Sequence, residues 1–234
     1  MTRILIFFAV IGSFGGVFCL GLGFTLSGWD WARAASWSLA SQSTCGPMTS
    51  DRIQVTLPFT TRDDSLAITL PGSVRYRPGD KAEALVSGDA AVVDHVRIED
   101  GILSLDCDAG SSKLEVDLTG PAITNWKLLG SAKLTLAGIS QRELRLKIAG
   151  SGGVTAGGAV ETLGLQMSGS GKAELKGLVT KSAEIDATGS GSTQLTAEGS
   201  ADVSIAGSGS VELFGHPNVG RSKTTGSGRI VLVP

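Results

Sequence analysis

The chain has 234 residues, enough for one sizeable domain and a small extra piece, with 20 Lys and Arg set against 22 Asp and Glu. So even a balance excludes the basic face that a nucleic-acid binder needs. Glycine, at 33 residues, is about twice its usual share, and aromatics make up only 5%, which points to thin layers of Leu, Val, Ile and Ala.

The first element is an uncharged run at residues 4–26. It exceeds the core of a signal peptide, about 7–15 residues, and reaches the roughly 20 that span a bilayer. Arg3 precedes it, and Trp29, Trp31 and Trp37 follow where an interfacial belt would lie. Residues 1–28 are therefore read as a transmembrane helix with the remainder outside the cytoplasm. Ala32-Arg33-Ala34 matches a cleavage site, so a cleaved signal and a periplasmic or secreted product stay open. Residues 29–50 read as a juxtamembrane linker.

Residues 51–109 read as a leading β segment. Ile53, Val55 and Leu57 alternate with polar neighbours, as do Leu66, Ile68 and Leu70. Glu99-Asp100-Gly101 between Val96-Arg97-Ile98 and Ile102–Leu105 is a hairpin signal through its Asp-Gly turn. A helical turn is expected from Asp89 to Val93.

Residues 110–234 repeat. Gly-Ser-Gly begins at Gly150, Gly169, Gly189, Gly207 and Gly226, with weaker versions at Gly110 and Gly130, every 18–20 residues. A period of this size marks stacked architectures. Aligned on that glycine, the first apolar column reads Leu114, Leu134, Val154, Ala173, Thr193, Val211, Ile230. The next reads Val116, Leu136, Ala156, Leu175, Leu195, Leu213, Leu232. A second strand per repeat carries Leu146, Leu165, Ile185 and Val203 inward, with Arg145, Gly164, Glu184 and Asp202 outward. Strict period-2 alternation on two short strands per repeat predicts an all-β parallel β-solenoid (β-helix) of coils about 19 residues long, turning at glycine corners.

Ser73-Val74-Arg75-Tyr76-Arg77-Pro78-Gly79-Asp80, Ser87-Gly88-Asp89 and Glu99-Asp100-Gly101-Ile102-Leu103, ahead of the Gly-Ser-Gly coils, resemble the auto-transporter adhesin head GIN domain family over about residues 51–234. The resemblance implies a β-solenoid and an exported address, and brings no catalytic residues.

Gly169-Ser170-Gly171-Lys172 has the look of a phosphate loop, but Gln166 stands where a glycine is required and Ala173 where Ser or Thr is required. No cofactor motif is present. Glu184 and Asp202 share an outward column with Asp186 one step away, a trio that could hold a cation or act as acid and base; a solvated acidic face is the blander reading. His95 and His216 read as surface residues. Cys45 and Cys107 are candidates for a disulfide or for two free thiols.

The expected function is a non-enzymatic, adhesion-like envelope module with an envelope protein or polymer as partner. The alternatives are a polysaccharide-active or cation-dependent enzyme using Glu184, Asp186 and Asp202, and a structural envelope component. The final strand, Arg229-Ile230-Val231-Leu232-Val233-Pro234, is apolar on both faces. It is expected to form a homo-oligomer contact that Pro234 would limit.

Overall fold

The structure is a computed structural model that describes residues 44–47, 51–110 and 113–233. The expected membrane helix or signal at 1–28, most of the linker and Pro234 lie outside these residues. Among those described, no helix is long and apolar enough to cross a membrane.

The repeats set the architecture. Strands β9 (Lys133–Gly150), β10 (Gly153–Gly169), β11 (Lys172–Gly189) and β12 (Ser192–Gly207) stack in parallel. The all-β solenoid has about five turns. Each expected pair of short strands is a single strand of 16–18 residues. The second corner of each coil is a shift of register inside the ladder, as between Ala156 and Gly158 or Leu175 and Val179, and a bulge bends a strand without ending it. The apolar columns are in register: Leu146, Leu165, Ile185 and Val203 pair in turn, as do Leu175, Leu195 and Leu213. All of these are buried.

The Gly-Ser-Gly corners stack directly. At Gly189 the backbone has φ +115°, and an added Cβ would lie 2.3 Å from the Gly169 carbonyl oxygen. Only glycine suits both demands. The serine between the glycines ties neighbouring coils through its backbone: Ser190 N–H donates to Gly169 O at 3.0 Å and Ser170 N–H to Gly150 O at 3.0 Å.

The leading segment departs from the expected plan. Strands β2 (Ser65–Ile68) and β3 (Ser73–Pro78) form a coil of the solenoid, turning at Gly72. That coil lies between two later ones. β3 is flanked by β7 (Glu115–Gly120) and β9, and β2 by β6 (Ile102–Leu105) and β8 (Asn125–Gly130). The boundary at 109/110 therefore does not follow the stack. The first repeat also shifts by two residues. Val74 pairs with both Val116 and Leu134, so Val116, and not Leu114, belongs to the Leu134 column.

Because the coils are out of chain order, the connection from β7 to β8 must pass over the inserted coil. Tyr76 fastens it there, its hydroxyl donating to Pro121 O at 2.7 Å and Gly120 O at 3.1 Å. The Tyr76 ring meets the Trp126 ring edge-on at 4.9 Å, and Trp126 Nε1–H donates to Ile123 O. Burial pushes the Tyr76 phenol above its ordinary value, against a smaller opposing effect of the Ile123 backbone. A raised tyrosine pKa favours the fold fully below the unfolded value of about 10, and that contribution is lost as pH climbs through the folded value. Tyr76 is the only tyrosine, so phenolate absorbance reads this site alone. Ionisation is expected above the ordinary range, together with loss of the β-sheet circular dichroism. Ionisation in the ordinary range with the fold intact would show that the hydroxyl does not hold the crossover.

Antiparallel strands close the amino-terminal end. β1 (Arg52–Pro58) runs along β4 (Glu83–Asp89), β4 along β7, and β5 (Val96–Glu99) along β6 through the expected Asp100-Gly101 turn. The helical turn is α1 (Ala90–Val93), capped by the Asp89 carboxylate accepting from Ala91 N–H at 2.9 Å. At the same end Cys45 is bonded to Cys107, their Cα atoms 5.0 Å apart across 62 residues of sequence. A loop of that size limits the unfolded chain by roughly 4 kcal/mol at most.

At the other end β13 (Ser210–Phe214) and β15 (Arg229–Leu232) follow one wall, and β14 (Asn218–Gly226) the other. Among the described residues, β14 and β15 each pair on one side only.

Candidate functional site

Outward side chains of a parallel stack fall into straight rows about 4.8 Å apart. On the wall built by β8 and the second halves of β9 to β12, one row runs Asn125, Arg145, Gly164, Glu184, Asp202. Its neighbour runs Lys127, Lys147, Gln166, Asp186, Ser204. Period-2 counting along the second strand of each repeat gives both rows, Lys147, Gln166, Asp186 and Ser204 included, except for Asn125 and Lys127. Those two come from the irregular repeat before Gly130, and their signal was the run Asn125-Trp126-Lys127-Leu128, polar and apolar by turns.

The rows form a banded surface. Lys127, Arg145 and Lys147 make a basic band, and Glu184 and Asp186 an acidic one. A single coil bearing Gly164 and Gln166 separates them. With no side chain at Gly164, a shallow groove of about 250 Å³ opens between the bands. The opposed charges sit two coils apart, about 10 Å, which is close to a Debye length in physiological salt. The two bands neutralise each other little. Arg145 Nη2 contacts Glu143 Oε1 at 2.6 Å on its own strand, an exposed pair that contributes at most about 1 kcal/mol and that a ligand carboxylate can displace.

The three-carboxylate site does not assemble. Asp202 turns to the last coil, where Oδ1 accepts the Arg221 N–H at 2.6 Å. Only Glu184 and Asp186 of the trio line the groove. Among the described residues, the one group with metal-ligating atoms within 4.8 Å of one another is His95, Asp106 and Cys107. Cys107 is consumed by its disulfide, so no thiolate is available, and His95 Nδ1 lies 2.6 Å from Asp106 Oδ1 as a surface pair. His216 lies in the turn before β14, with φ 58°.

Gly169-Ser170-Gly171-Lys172 is a corner between two strands. Lys172 contacts Glu174 at 2.5 Å, and that hydrogen bond, followed by the lysine's charge, holds the Glu174 carboxyl below its usual range. The lysine is engaged in pairing along its own strand.

The family described as "Putative auto-transporter adhesin, head GIN domain" matches residues 64–217, a span that holds the inserted coil, the glycine corners up to Gly207 and the whole banded wall. The chain belongs to the head GIN domain family. The GIN domain's fold recurs in the crystal structure of a putative adhesin from Bacteroides fragilis, with TM-score 0.65 and 17% identity, covering 79% of this chain and 98% of that one. A putative lipid binding protein from Parabacteroides distasonis gives TM-score 0.48 and 16% identity over 80% of this chain and 98% of its own. A putative adhesin from Parabacteroides merdae gives 0.44 and 13% over the same shares. No curated protein matches the chain.

Proposed function

We propose that this GIN domain is a non-enzymatic, adhesin-like envelope module that holds a protein or polymer of the cell envelope against its banded wall. The observation that carries this reading is the groove at Gly164, with Lys127, Arg145 and Lys147 on one side and Glu184 and Asp186 on the other. A stack of fully paired strands is a stiff support. It fixes the backbone under both bands, so that binding orders only side chains, and rigid presentation of this kind favours recognition. Complementary charge sets which partner docks.

The Cys45–Cys107 bond supports an address outside the cytoplasm, since such bonds persist in oxidising compartments. The apolar run at 4–26 would supply the tether. Recovery of natively expressed protein in the cytosol with both thiols free would exclude that address.

Binding is tested by co-sedimentation of the full chain with isolated bacterial envelopes. Reversing Lys127, Arg145 and Lys147 to Glu, or Glu184 and Asp186 to Lys, is expected to weaken association at least about tenfold. Lys133→Glu, in another column of the stack, should leave it unchanged. Equal association of all variants would remove the wall from the function.

A further inference from the structure

We propose that the last coil of the solenoid takes an extended, acidic polypeptide segment of a partner as an added strand. This surface is separate from the banded wall, and either can hold a partner without the other.

The backbone supplies the first argument. Arg229 N–H donates to Gly209 O at 3.0 Å and Val233 N–H to Leu213 O at 2.8 Å. Alternation along a strand then turns the N–H groups of Ile230 and Leu232 away from β13, to the side where β15 has no neighbour among the described residues. Unpaired donors and acceptors in strand geometry are a template for another strand.

The side chains supply the second. Four large hydrophobic residues are exposed among those described, and two of them, Val231 and Leu232, are adjacent on β15, at 39% and 59%. Among the described residues nothing covers them. Beside β15 lies a notch of about 300 Å³ lined by Leu213, His216, Pro217, Leu232 and Val233, a seat for one apolar side chain of the incoming strand.

Charge selects the occupant. No Asp or Glu follows Glu212, whereas Arg221, Lys223 and Arg229 do. A second copy docked edge to edge would bring like charges together. A head-to-tail copy would meet a β1 that carries Arg52 and no carboxylate. Residues 1–43 hold a single acid, Asp30. A partner strand bearing carboxylates fits where these do not.

The test is fluorescence anisotropy of the full chain with a short labelled peptide alternating Val and Asp. Saturable binding is expected. It should fall at least about tenfold when Lys replaces Asp, when alternate peptide nitrogens are methylated, and in Arg229→Glu and Leu232→Pro chains. Proline at 232 removes an outward N–H and leaves the ladder to β13 intact. Equal binding of the methylated or lysine peptide overturns the proposal, as does absence of binding. So does a dimer in sedimentation that Leu232→Pro disperses, which would make a second copy the occupant. Should Leu232→Pro fail to fold, the peptide arms decide alone. Charge reversals on the banded wall should leave peptide binding unchanged, which keeps the two surfaces distinguishable.

Discussion

Leu175→Asp is expected to destroy cooperative folding of the stack, while Glu174→Asp, one residue away, leaves it nearly unchanged. Leu175 is fully buried and pairs with Leu195 on the next coil. Truncating a buried leucine alone costs about 2–5 kcal/mol. A carboxylate in its place finds no partner in a core one side chain thick, and an unpaired polar group adds several kcal/mol more. The total approaches the whole stability of an ordinary domain, about 5–15 kcal/mol. Neighbouring coils bury each other's apolar faces, so one damaged coil weakens two interfaces. Glu174 points outward, with an exposed contact to Lys172 and a hydrogen bond from Thr155 at 3.3 Å, and exposed pairs contribute at most about 1 kcal/mol. Urea and thermal unfolding of both variants decide the matter. Equal midpoints would mean that the inward and outward columns are exchanged.

Gly189→Ala is the second large effect. Its φ of +115° is outside what a side chain tolerates, and its Cβ would stand 2.3 Å from a carbonyl of the coil beneath. Strain in such a region costs about 1–3 kcal/mol, and relieving the contact must push two stacked corners apart. A loss of at least about 3 kcal/mol is expected. Gly153→Ala serves as the control, since its added Cβ meets only Lys172 O at 3.6 Å. If the two alanine variants unfold at the same urea concentration, the corners are not in contact.

The repeats were legible in the sequence because one local rule governs them. On either side of each Gly-Ser-Gly corner the alternation is regular, so Ile185 under Leu165 and Glu184 beside Asp202 follow from counting. The first coils were not, because their neighbours are set by tertiary packing. Leu66, Ile68, Val74 and Tyr76 alternate around Pro71-Gly72-Ser73 much as later coils do around their corners, but nothing local says that this coil stacks between two that come after it. The single tyrosine was the available sign, a phenol with no local partner in an inward position. The wall was half legible: its acidic band was read as a carboxylate trio, and the basic band was overlooked because Lys127 belongs to an irregular repeat. Asp202 stands in the column expected of it, but the partner of its carboxylate was not legible, because the backbone turn at Gly220 and Arg221 that captures it has no counterpart in earlier coils.

The crossover beneath Tyr76 also decides where such a protein can change length. Between Gly150 and Gly207 each coil meets only the one before and the one after, so a whole repeat can be copied or removed and every strand still finds an equivalent neighbour. Between Ser65 and Leu136 this freedom is absent, because β3 needs β7 on one side and β9 on the other. Excising a coil there leaves two others facing the wrong partner. The amino-terminal end is a plug of fixed size, and the rest is a ruler that gene duplication can lengthen one notch at a time. A chain emerging from the ribosome must also hold β2 and β3 unfinished until β8 and the start of β9 have appeared.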